Sequence, residues 1–152
     1  QGVHRSFPYF VRLAYGWLVV AAALGVWAAF AQHSEGIWGA SRHALTVGFI
    51  ATMVFAIGQR VLPAFSGMRL LYSPRLMGLN LGLLAIGCLL RVSSEVLAYQ
   101  GILALAWKTL PVSAVLELTA VTFFAVNMIS TFLSRPITAR LVSIDQARRR
   151  AV

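Results

Sequence analysis

The chain has 152 residues, 59% hydrophobic and only 11% charged, with a mean hydropathy of +0.79. A soluble domain carries roughly a quarter charged residues, so no water-facing surface can be built from this composition. Thirteen Lys and Arg against four Asp and Glu give a formal charge of +9; the basic residues flank apolar runs, which makes the lipid bilayer, and not nucleic acid, the expected partner. The single cysteine, Cys88, excludes an internal disulfide, a covalent haem motif and cysteine-based metal clusters. The first residue is Gln1 and not Met, as in a processed or excised piece of a longer protein.

Crossing about 30 Å of hydrocarbon takes roughly 20 apolar residues in a helix. Four runs meet that length, at about 11–31, 43–62, 76–99 and 112–133. The predicted fold is therefore all-α, an integral membrane bundle of four antiparallel transmembrane helices over 1–136, followed by a basic cytoplasmic tail at 137–152. The connections at 32–42, 63–75 and 100–111 are short, and Trp38 and Trp107 fall in the first and third, as interfacial aromatic residues do.

With four spans, the N-terminus, the second connection and the tail share one side. They hold Arg5, Arg12, Arg60, Arg69, Arg75, Arg135, Arg140, Arg148, Arg149 and Arg150, against Arg42, Lys108 and the deeper Arg91 on the other. This bias predicts both termini in the cytoplasm and, in a bacterium, the first and third connections in the periplasm, with the chain in the inner membrane.

Small and polar residues within the runs indicate how the helices meet. Ala44, Gly48, Ala51 and Phe55 share a sector of the second run, and Gly78 with Gly82 forms a G-x-x-x-G on the third; both permit close backbone approach within the bundle, with other membrane subunits or in a homo-oligomer. Asn80 and Asn127 fall at comparable depth and predict an interhelical hydrogen bond. Arg91 and Glu117 also fall at similar depth, about 3 Å apart by helical rise, so an ion pair across the two helices is expected, with Glu95 as the alternative partner one turn along the helix of Arg91. The functional reading of Arg91 is a contact to an anionic group such as a haem propionate.

Three histidines can ligate. His33 ends the first span and His43 opens the second, both at the predicted outer boundary with Glu35 and Trp38 between them, while His4 lies at the opposite side. Neutral imidazole ligates haem iron and copper, and a bundle core is a usual place to build such a site; an interfacial histidine also serves simply as a headgroup hydrogen-bonding residue. Val47, Ile50 and Val54 share the His43 sector and form an apolar stripe suited to a macrocycle or to lipid.

The stretch HALTVGFIATMVFAIGQR (His43 to Arg60), the CLLRV around Arg91, and the entry to the fourth span, Trp107 followed by PVSAVLE and closing in LSRP (Leu133 to Pro136), resemble the C-terminal spans of the NnrS family over about 38–136. That resemblance implies a haem- and copper-associated bacterial membrane protein linked to the nitric oxide response, with b-type haem near the periplasmic face. The resemblance supports His43 as an iron ligand, while position alone makes His33 the candidate for the opposite face and Arg91 the candidate for a propionate. Where the family carries Gly-His-Thr-Gly-Arg after the second helix, this chain has Ala64-Phe65-Ser66-Gly67-Met68, so the second histidine is missing and a copper ligand does not carry over. A fainter similarity to subunit I of haem-copper oxidases lacks that subunit's histidine pair. The leading expectation is thus haem b with electron transfer or nitric oxide handling. Its alternatives are a non-catalytic membrane subunit or scaffold without cofactor, and a transporter half with Arg91 and Glu117 in the path. No nucleophile-base set or phosphate-binding loop supports hydrolase chemistry.

Overall fold

In the computed structural model, residues 7–32, 34–65 and 71–133 are described. They form four helices long and apolar enough to cross a membrane: α1 (Phe7–Phe30), α2 (Glu35–Phe65), α3 (Pro74–Tyr99) and α4 (Ala106–Leu133). The protein is all-helical over these residues, a multi-pass membrane fold. In lipid each backbone amide must find a partner inside its own segment, and a helix supplies one.

The spans are longer than hydropathy alone predicts, and the extensions carry consequences. α2 begins at Glu35, eight residues before His43, because Glu35–His43 is itself a helix that buries Gly36, Ile37 and Ala40. Its charged residues, Glu35 and Arg42, fall outside that buried set, so a hydropathy window reads the segment as a polar connection. α4 begins at Ala106 and takes in Lys108 and, at its sixth position, Pro111, where the ring removes one backbone hydrogen bond of the helix. α3 opens on Ser73, whose hydroxyl accepts from the Leu76 amide, followed by Pro74 at the first helical position.

α2 and α3 form the centre, with α1 against α2 and α4 against α3 in the most extensive pairing. Within α2 the turns from Ala44 to Ala51 are π-helical. This widened segment faces α1, where a Cβ on Gly48 would overlap the Trp17 ring, so the glycine permits the close crossing. Trp17, Ala21, Ala40, Ala44, Cys88 and Val92 make one buried cluster; Ala56, Met77 and Leu81 make a second near the other end, flanked by Phe7, Phe10, Phe55 and Leu71. Phe55 stacks on Phe124 with ring centroids 4.3 Å apart, tying α2 to α4. By contrast, a methyl group added at Gly78 or Gly82 would meet no atom within 4 Å; this G-x-x-x-G lines no helix contact inside the described chain.

Near the second cluster, side-chain amides replace the direct Asn80 to Asn127 bond expected from depth. Gln59 lies between them: Asn127 Nδ2 donates to Gln59 Oε1 at 3.0 Å, and Gln59 Nε2 donates to Asn80 Oδ1 at 3.4 Å. Asn127 also accepts from the Ser73 amide and donates to the Ser73 carbonyl, while the Thr131 hydroxyl accepts from the Tyr72 amide. Direct contact is superseded because α2 supplies a residue of the right length between α3 and α4.

Candidate functional site

The acidic residues of the spans, with His43 and Arg91, gather toward the opposite end, where α1 ends and α2 begins, while Arg12, Arg60 and Arg75 stay near the second cluster. His43 sits about 12 Å along α2 from Glu35, not at its mouth. Its Nδ1 lies 3.1 Å from the Gly39 carbonyl, to which it is hydrogen-bonded, and 3.1 Å from Glu95 Oε2 on α3. The carboxylate oxygen stands off the N–H axis, making no aligned hydrogen bond among the described residues; its effect on the imidazole is that of a close charge. With Nδ1 engaged on both counts, Nε2 is the nitrogen left for a ligand.

Glu95 is 8% exposed. A Cβ on Gly39 would overlap its carboxylate, and a Cβ on Gly36 would overlap Tyr99. The two glycines therefore let α2 and α3 cross closely enough to bring Glu95 to His43. On its own helix Glu95 is paired with Arg91, whose Nε lies 3.9 Å from Oε2. The expected Arg91 to Glu117 pair is replaced by this one-turn pair. Glu117 packs against α3 at Gly87, one turn below Arg91 and about 6 Å deeper, so depth counted from the predicted mouth of α4 placed it too high. Among the described residues Glu117 makes no ion pair, and its Oε1 and Arg91 Nε have no hydrogen-bond partner. An unpaired buried polar atom in hydrocarbon is costly.

The π-helical turns start immediately after His43. Such turns are rare and recur at functional sites, because the wider ladder frees carbonyls and re-aims the adjoining side chain. Here the Cys88 thiol approaches the His43 carbonyl at 3.8 Å and the Thr52 hydroxyl donates to the Val47 carbonyl at 3.3 Å. Of the apolar stripe, Val47 packs inside, whereas Ile50 and Val54 are exposed on the outer surface of the helix.

His33, His4, Arg5, Arg69 and the basic tail lie outside the described residues. Among those described, no three His, Cys, Asp or Glu side chains converge as a bare metal ion requires. Gly36, Gly39 and Gln59 did not stand out in the sequence. Two glycines three apart beside a helical histidine were the available signal for the first pair, and a glutamine inside an apolar run for the last.

A family described as a domain of unknown function (DUF8744) matches residues 1–133, and the chain belongs to that family. No curated protein and no solved structure matches it.

Proposed function

We propose that this DUF8744 protein is a haem-binding protein of the bacterial inner membrane, in which His43 Nε2 ligates the iron of haem b and the chain serves electron transfer or nitric oxide handling. The observation that carries this reading is the placement of His43 Nδ1, hydrogen-bonded to Gly39 O at 3.1 Å with the Glu95 carboxylate 3.1 Å away as a close charge. A ligating imidazole is normally oriented in this way, through its other nitrogen by a carbonyl or carboxylate. Haem suits the donor set better than a bare cation, since the porphyrin brings four nitrogen ligands of its own and one proximal imidazole completes the attachment. Arg91, 27% exposed at the side chain, is the cation available to a propionate. The resemblance to NnrS points the same way. When bound, haem would supply one-electron chemistry; His43 would hold and orient it and Arg91 would neutralise a propionate. An absorption spectrum of the detergent-purified protein tests the reading, with a Soret band expected.

The second reading is a cofactor-free membrane subunit, favoured by one fact. Glu95 already compensates both His43 and Arg91, so the cluster can stand as a structural ion network. Purified protein with no Soret band after haem supplementation selects it.

The distribution of arginines supports cytoplasmic termini, with the His43 end toward the periplasm. Single cysteines at Ser34 and Ala104 are expected to react with an impermeant thiol reagent from outside intact spheroplasts, and one at Tyr72, 60% exposed in the second connection, only after lysis. The reverse pattern inverts the protein.

A further inference from the structure

We propose that Glu95 is a positioning residue that sets the electronic character of the His43 site and holds its iron toward the oxidised state. This deepens the haem reading and rests on it. The argument is one of charge at close range. Glu95 is nine-tenths buried, with Oε2 3.1 Å from His43 Nδ1. Water does not screen a carboxylate there as it would at a surface. Negative charge beside Nδ1 enriches the imidazole in electron density, makes Nε2 a stronger donor and favours the higher iron charge. The nearest compensating cation, Arg91, presents its Nε at 3.9 Å and makes no hydrogen bond through that atom, so it offsets the carboxylate only in part. Space for Glu95 is built into the partner helix, because any side chain at Gly39 would overlap the carboxylate. Gly39, His43 and Glu95 are thus brought together across two helices.

The experiment is a redox titration of the haem in wild-type protein, Glu95→Gln and Glu95→Asp, at matched haem content. Glu95→Gln keeps the shape and removes the charge. At the wild-type midpoint it is expected to raise the ferrous-to-ferric ratio at least tenfold, which for one electron is 59 mV; Glu95→Asp should fall between. A readout independent of titration is the ferrous iron-histidine stretching band in resonance Raman, which should move to lower frequency in Glu95→Gln and recover partly in Glu95→Asp. A Glu95→Gln protein with full haem, unchanged midpoint and unchanged band overturns the role of Glu95 while leaving His43 as ligand. A wild-type protein that binds no haem overturns both. Should Glu95→Gln fail to fold, Gly39→Ala displaces the carboxylate without removing it. An unmoved midpoint there counts equally against the proposal.

Discussion

Replacing His43 by alanine is expected to lower haem content at least tenfold relative to wild type after purification in the same detergent with haem supplied in excess. In the proposed site His43 Nδ1 is hydrogen-bonded to Gly39 O and sits beside Glu95, which leaves Nε2 as the nitrogen that would ligate. Losing merely an outer-shell partner typically costs 10- to 100-fold in affinity for a metal, so losing the ligand itself should cost no less. The measurement is the Soret absorbance per protein together with the pyridine haemochrome. Loss of fold is separated from loss of ligand by size-exclusion behaviour, which should stay that of wild type, because the packing around Trp17, Cys88 and Val92 does not depend on the imidazole. A His43→Ala protein with full haem and an unaltered spectrum would remove His43 from the site. Arg91 would then have no iron ligand beside it among the described residues.

The largest stability loss is expected at Asn127, toward the other end of the bundle from His43. Asn127 is fully buried and joins three segments: its amide donates to Gln59 Oε1 on α2 and to the Ser73 carbonyl, and its carbonyl accepts from the Ser73 amide at the entrance of α3. Asn127→Leu leaves each of these groups without a partner in a place that water reaches poorly. An unsatisfied buried group costs about 1–3 kcal/mol, while interhelical bonds in membranes average nearer 0.6 kcal/mol. The combined loss should therefore be about 2–4 kcal/mol, read as a shift in unfolding midpoint in a detergent titration. Gln59→Leu should show strong non-additivity with it, since the two side chains share one bond. A loss below about 0.5 kcal/mol, the range of an ordinary surface substitution, would show that the amide network does not hold α2, α3 and α4 together.

The helical membrane fold and the number of spans were readable from composition and run length. Twenty apolar residues in hydrocarbon have few solutions besides a helix, and that constraint acts on each segment separately. The ionisable residues of the site were readable for a similar reason, since Arg91, Glu95 and Glu117 stand out in apolar runs whatever surrounds them. Their pairing was readable only as alternatives, Glu95 or Glu117 for Arg91. It depends on where helices begin and on how closely they cross, and hydropathy is blind to both when a helix enters through an amphipathic turn. Moving the start of α2 back to Glu35 placed His43 about two turns inside. Gly36 and Gly39, unremarkable as loop residues, then became the point at which α3 approaches. Tertiary structure alone decided that Glu95 serves His43 as well as Arg91, that Glu117 packs beside Gly87 without an ion pair among the described residues, and that Gln59 bridges two asparagines. In each case the outcome turns on a few ångströms of helix register, and no single segment's sequence contains that information.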